Sequence, residues 1–238
     1  CRFGDILVST CRQDTLVYVQ PRYGFAGISL AYLAKKYNKK LVLFSPSQKE
    51  ISDHQAICVE MGAEMKFKRI AAMPVLNAHA KKWAEDNGAF FIPLGLRHEL
   101  VTAAAVKVAH DLAEKHGYPE EVWSAISTGV LQRSLQIAWP DAKFNGVAVA
   151  RNIKKGERGI AEIWSHPKAF TQDVDPQYNP PFPSAMNYDA KAWEFMTKHG
   201  SPGAWFWNVG GDPKPKDINT KSLTKSERAW GEILETDK

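Results

Sequence analysis

Cysteine is scarce in this chain. Only Cys1, Cys11 and Cys58 occur, an odd count without the paired spacing of a disulfide framework or a metal site. That scarcity argues against a secreted, disulfide-stapled scaffold and for a reducing, cytoplasmic setting. No run of about eighteen apolar residues is present, so the pattern offers no membrane-spanning helix. Charge of one sign is also lacking: 31 basic against 26 acidic residues leave a net +5, with a pI of about 9.0. The lysines are scattered over predicted helix surfaces, with local groups at Lys35, Lys36, Lys39 and Lys40 and in the tail at Lys214, Lys216, Lys221 and Lys225. A nucleic-acid partner collects its cations on one face, so none is expected here, although a basic pI does not exclude one. No internal repeat is visible.

What the chain does have is material for a core. It has 238 residues, 44% hydrophobic and 11% aromatic, enough for one large or two modest domains. Strand and helix signals alternate along it. Thr15–Val19, 40–44, 64–69, 89–93, 121–127 and 144–150 are β-rich runs. Between them 28–37, 48–62, 75–87, Glu99–His116 and 130–139 carry helical patterns, several closed by glycine. The opening 1–11, CRFGDILVSTC, also looks like helix interior. Strands separated by helices of this length imply βαβ units and a mostly parallel sheet. The stretch 171–184, with NPPFPS inside it, reads as loop; 188–199 reads as helix, 204–209 (AWFWNV) as a short buried strand, and 222–234 as a last helix with a TKSE capping box at its start.

Three strand-end turns carry the residues that chemistry needs. In an open parallel sheet, ligands bind beyond the carboxyl ends of the strands, where helix N-termini present free N–H groups and the positive end of the dipole. The first turn is Pro21-Arg22-Tyr23-Gly24-Phe25-Ala26-Gly27, whose two glycines permit close backbone approach. It lacks the third glycine of a dinucleotide fingerprint, and FSPS stands where that fingerprint needs an acid. The second is Ser127-Thr128-Gly129-Val130-Leu131, two hydroxyls and a glycine at a helix start, suited to a phosphate or equally to an ordinary helix cap. The third is Trp207-Asn208-Val209-Gly210-Gly211, which places a polar side chain at the end of an apolar strand, where it must find a partner.

Taken in order, these motifs resemble the fold-type II pyridoxal-phosphate enzymes: cysteine synthase, the tryptophan synthase β chain, D-cysteine desulfhydrase and aminocyclopropane-carboxylate deaminase. Residues 21–32, PRYGFAGISLAY, keep the proline, both glycines and the helix start of the cysteine synthase pattern P-T-S-G-N-T-G-I-A-L-A-Y. MGAEM at 61–65 is similar to the L-G-A segment, and Ser127, Thr128, Gly129 and Val130 fall where the phosphate loop stands. Tyr188-Asp189-Ala190-Lys191-Ala192 resembles Y-x-G-K-A, and WFWNVGG at 205–211 resembles F-x-H-T-G-G. The likeness runs to about Gly211. Cysteine synthases follow the Schiff-base lysine with C-R-x-G, and this chain opens Cys1-Arg2-Phe3-Gly4. The resemblance therefore implies a lysine one position before Cys1, in a longer chain.

The resemblance implies an α/β fold of two parallel-sheet, three-layer α/β/α domains, tryptophan synthase β-like. Residues 1–95 would form the smaller domain with the substrate turn, and 96–238 the larger one with the phosphate loop and tail. It implies pyridoxal 5′-phosphate as cofactor, an amino-acid-like substrate, a homodimer, and a lyase, deaminase, synthase or other transferase activity. Phe25, Ser127, Thr128, Gly129, Val130 and Asn208 become cofactor contacts. Arg22, Tyr23 and Gly24 become substrate contacts, and Tyr188 an acid–base or stacking group. No metal is implied. Departures stand beside the matches. Phe25 replaces the asparagine that meets the cofactor's 3′ oxygen, and a phenyl ring cannot hydrogen-bond it. Arg22 replaces a hydroxyl and suits a carboxylate or phosphate. The phosphate loop holds one glycine, and Val209 replaces a threonine at the pyridine nitrogen, leaving Asn208 as the nearest polar side chain. These changes leave two other readings open: a binding protein on the same fold that has lost catalysis, and a nucleotide-binding α/β protein, against which the missing acid counts.

Overall fold

The computed structural model describes residues 2–47, 51–69 and 73–213. Cys1, the basic tail from Lys214 and the helix expected over 222–234 lie outside the described residues. The elements run α1 Arg2–Thr10, β1 Thr15–Val19, α2 Phe25–Lys36, β2 Lys40–Pro46, α3 Asp53–Glu60, β3 Glu64–Lys68, α4 Met73–Asp86, β4 Phe90–Ile92 and α5 Glu99–His116. They continue as β5 Glu121–Ile126, α6 Val130–Ala138, β6 Lys143–Ala148, α7 Lys155–Arg158, β7 Glu162–Ser165, α8 Asp189–His199 and β8 Trp205–Trp207. Two compact units divide them, the first running to Val101 and the second covering Thr102–Asp212.

Each unit is built on one four-stranded sheet whose pairings are all parallel, in the orders β3-β2-β1-β4 and β7-β6-β5-β8. The two orders are the same once each unit's strands are counted from its own first strand, a repeat of topology that the sequence does not display. In both, the winding reverses beside the first strand, between β1 and β4 and between β5 and β8. That reversal is the switch point at which doubly wound sheets bind ligands.

The central strands β1, β2, β5 and β6 are buried on both sides, so most of their length reads as a continuous buried run rather than an alternating one. In the second unit the two faces separate cleanly. Val122 and Phe144 pack with Ala109 and Ala113 of α5 and Leu135 and Ala138 of α6. Trp123, Ala125 and Val147 pack with Ala192 of α8 and with Phe195 and Phe206. Successive strand residues point to opposite faces, which places the sheet between two helical layers. In the first unit Val17, Val19, Val42 and Phe44 pack with Leu76, Ala80 and Ala84 of α4, while α2 lies on β1 and β2.

Several expected boundaries move. The helix expected over 48–62 begins only at Asp53, because Ser52 and Gln55 close a capping box: the Ser52 side chain accepts the Gln55 N–H, and the Ser52 N–H donates to Gln55 Oε1 at 3.0 Å. Residues 48–50 lie outside the described residues. The strand expected over 204–209 pairs only through Trp207; Asn208 turns away, its amide donating to Pro183 O at 2.9 Å. Tyr188 caps α8 rather than opening it. The loop over 171–184 contains one short 3-10 turn at Pro176–Tyr178. Neither α7 nor the edge strand β7 was expected, since NIKKGERGIAEIWS is too polar to announce them.

Candidate functional site

The first switch point belongs to the turn after β1. Gln20 follows that strand fully buried, and its side chain closes the turn on itself. Gln20 Oε1 accepts the Gly27 N–H at 3.0 Å, and Nε2 donates to Gly24 O at 3.0 Å. Gln20 O accepts Ser45 Oγ–H at 2.7 Å, Ser45 Oγ accepts from Gln55 Nε2 at 2.6 Å, and Ser52 Oγ donates to Arg22 O. The close approach that Gly27 permits is therefore to Gln20: a Cβ at Gly27 would lie 2.2 Å from Gln20 Oε1. One N–H at the start of α2 is used up by the same contact. Around this turn Phe25 stands edge-on to His54 at 5.1 Å, Tyr23 meets His54 at 6.0 Å, and the exposed Arg22 lies 5.6 Å from the Tyr23 ring centre.

The second switch point holds the other two turns side by side, because β5 and β8 are neighbours. Ser127 and Thr128 leave β5, and Gly129 caps α6 in the left-handed region (φ 76°) without a capping side chain. A Cβ on Gly129 would sit 2.0 Å from Glu157 O. Arg151 braces the turn, donating to Ser127 O at 3.0 Å while paired with Glu157 at 2.7 Å. The third turn is fastened to residues 183–189. Beside the Asn208–Pro183 bond, the Val209 N–H donates to Asp189 Oδ2 at 3.1 Å, and the Met186 N–H to Asp212 Oδ2 at 3.0 Å.

Polar groups at this edge are left over. Gln132 in the first turn of α6 accepts Ser124 Oγ–H, yet its buried Nε2 has no partner among the described residues. Ser184 Oγ, Asp189 Oδ1 and Asn208 Oδ1 are likewise buried without one. Native proteins seldom leave such atoms unpaired unless a ligand, ion or water meets them. Asp189 is fully buried, and that burial pushes its carboxyl up to about 7 against the opposing N–H bonds of Val209 and Gly210. Burial also raises the Tyr188 hydroxyl, with the neighbouring Asp189 charge adding to it. The Tyr188 ring is edge-on to Phe170 at 6.2 Å.

The structure thus brings Ser127, Thr128, Gly129, Val130 and Asn208 to one sheet edge, and Arg22, Tyr23, Gly24 and Phe25 to the corresponding edge of the other unit. Asp189, Gln132 and Gln20 escaped the sequence reading. An acid in the first turn of a helix and a glutamine at a strand end are ordinary there, and only burial marks them out. Lys191 of the same segment is fully buried and donates to Ala169 O at 2.7 Å, holding a loop onto α8. Among the described residues no group of histidines, cysteines and acids is arranged to hold a metal, and no helix is long and apolar enough to cross a membrane.

No family model matches the chain, and no curated protein matches it. Solved structures do. An ACC deaminase homologue superposes with a TM-score of 0.74 over 94% of this chain and 81% of its own, at 16% identity. The processed form of threonine deaminase isoform 2 from Solanum lycopersicum gives 0.64 over 95% and 78%, at 11% identity. A pyridoxal 5′-phosphate-dependent aspartate racemase gives 0.54 over 87% and 62%, at 16% identity. The chain has the fold of the fold-type II pyridoxal-phosphate enzymes. At these identities the likeness speaks for the fold, and the site residues have to argue for themselves.

Proposed function

We propose that the β5/β8 edge binds pyridoxal 5′-phosphate and that the protein is a lyase or deaminase acting on an amino acid or a related amine. The observation that carries this reading is the set of unpaired buried atoms on the segments that leave β5 and β8 and on residues 183–189 fastened to them, the Asp189 carboxyl among them, together with the start of α6. The groups fit the cofactor. The Ser127 hydroxyl, with Thr128 and the N–H groups opening α6, suits a phosphate dianion. Asp189, with Asn208 beside it, suits the ring nitrogen: a buried carboxyl with a free oxygen gains a hydrogen bond there and holds the ring protonated. When bound, the cofactor would supply the electron sink for carbanion chemistry at the substrate carbon.

The protein's own groups would do the rest. Burial keeps the Tyr188 hydroxyl protonated near neutrality, so it would serve as a hydrogen-bond donor to the substrate rather than as a base. In the first unit, Arg22 offers a planar fork for a carboxylate, with Tyr23 and Gly24 beside it and the Phe25 ring as an apolar contact. Titrating purified protein with pyridoxal 5′-phosphate tests the reading, with tryptophan fluorescence as readout because Trp205 and Trp207 lie on β8. Saturable quenching that Ser127→Ala weakens is expected, followed by ammonia release from one amino acid in a substrate screen. Pyridoxal 5′-phosphate that quenches without saturation, or equally in Ser127→Ala and Asp189→Asn, would sink it.

A further inference from the structure

Away from that edge, α6, the start of α5 and the segment after α7 enclose a groove of about 420 Å³ in the second unit. The volume is within the range of small-molecule sites. Ile137 and Ile160 line it at 60% and 68% exposure, two of the few large apolar side chains so exposed among the described residues. Pro140 extends the apolar wall, and Thr102 and Arg133 supply its polar heads. The groove is built rather than accidental. Gln136 Nε2 donates to Arg158 O at 2.8 Å and Gln136 Oε1 accepts the Ile160 N–H at 3.2 Å, so one side chain fixes the strap that presents Ile160. A Cβ at Gly159 would lie 2.0 Å from Gln136 Oε1 at a φ of 57°, so a side chain there would strain the backbone and push the Gln136 amide off the strap.

Arg133 decides the occupant. Its side chain is exposed, and the guanidinium makes no salt bridge or hydrogen bond among the described residues. A two-fold pairing centred on Arg133 would set two guanidinium groups against each other, and the groove's lining offers no carboxylate to meet either, which disfavours a second copy of the chain. An uncharged apolar ligand would leave the guanidinium idle. We infer that the groove binds a small aliphatic monocarboxylate, its carboxylate on Arg133 and Thr102 and its branched body on Ile137, Pro140 and Ile160. This is a second site, and it does not depend on the cofactor reading.

Calorimetric titration with 4-methylpentanoate, beside the neutral 4-methylpentanol, tests it. Saturable binding of the acid is expected, with the alcohol and the Arg133→Gln variant each weaker by about tenfold, the scale of a charge-assisted bond. Ile160→Ser should weaken both probes. Both variants alter exposed side chains, and circular dichroism confirms their fold. Ser127→Ala should bind the acid as the wild type does, which separates this groove from the proposed cofactor site. Equal affinity for acid and alcohol, undiminished binding to Arg133→Gln, or no saturable binding at all would overturn the assignment. So would sedimentation showing a dimer that Ile160→Ser dissociates, since the face would then belong to a second copy.

Discussion

The turn after β1 and the turn after β5 occupy the same place in two sheets of the same strand order, and each carries a glycine at a helix start. They are nevertheless finished in opposite ways. At the first, Gln20, Ser45, Ser52 and Gln55 close a circuit in which side chain and backbone satisfy each other. At the second, Gln132, Ser184, Asp189 and Asn208 each keep a buried polar atom without a partner. Burying an unpaired polar atom costs about 1–3 kcal/mol, so the second edge is unfinished without something to bind. A glycine in a strand-to-helix turn does not by itself report a ligand; what fills the space beside it does.

The sharpest way to break this comparison is through Asp189. Burial pushes its carboxyl up to about 7 in the folded chain, from the ordinary 3.8. Over that interval the folded state holds a proton that the unfolded state has lost, so stability is fullest below about pH 4 and declines as pH rises through about 7. At 1.36 kcal/mol per pH unit the loss is about 4 kcal/mol. Asp189→Asn removes this dependence. Denaturant unfolding at pH 4.5 and pH 8 should show the variant gaining stability relative to wild type at the higher pH. A constant difference would mean that the carboxyl is not isolated. If Asp189 holds the cofactor's ring nitrogen as proposed, saturating pyridoxal 5′-phosphate should flatten the wild-type slope as well, because a positive partner would let the carboxyl ionise.

Gly129→Ala comes next. The new Cβ would meet the Glu157 carbonyl, a backbone group that cannot rotate away, at a residue already in the left-handed region. A loss of about 3 kcal/mol is expected, and trimming the Glu157 side chain should not recover it. Gly27→Ala should cost less, about 2 kcal/mol, because its clash is with the end of the Gln20 side chain. Shortening that side chain, in Gly27→Ala with Gln20→Ala, should recover part of the loss. Thermal melts of the single and double variants compare the two, and rescue at Gly129 rather than at Gly27 would reverse the account of both turns.

Much of the architecture was legible because periodicity and punctuation are local. Thr15–Val19 and Glu99–His116 were readable to the residue, since β-branched runs and a capped, glycine-closed helix carry their own boundaries. The start of α3 was misplaced because a capping box at Ser52 outweighs the helical look of the residues before it. The edge strand β7 was invisible, since EIWS is only half-buried and gains its strand character from pairing with β6. At the site, hydroxyls and glycine mark Ser127, Thr128 and Gly129 in any sequence, and Asn208 stands out at the end of AWFW. Asp189 does not: a carboxyl at a helix start is commonplace, and nothing short of its surroundings shows that it is buried with one oxygen free. The meaning of Gly27 was hidden for the same reason, because the group that needs its missing Cβ lies seven residues earlier.

The smallest effect separates the two turns by what they bind. Ser127 leaves β5 with its hydroxyl unpartnered among the described residues, so Ser127→Ala removes no internal bond and should leave thermal stability within about 0.5 kcal/mol of wild type. The same change should weaken pyridoxal 5′-phosphate by about tenfold if that hydroxyl meets the phosphate, the scale of one hydrogen bond to a charged group. At the first turn the opposite split is expected. Gln20→Ala opens the closed circuit and lowers stability by about 1–3 kcal/mol, through the N–H of Gly27 left without its acceptor, while the phosphate affinity stays where it was. Melting temperature and fluorescence titration on the two variants give four numbers. Stability lost at Ser127 with affinity kept, or affinity lost at Gln20 with stability kept, would show that the finished and the unfinished edge had been assigned the wrong way round.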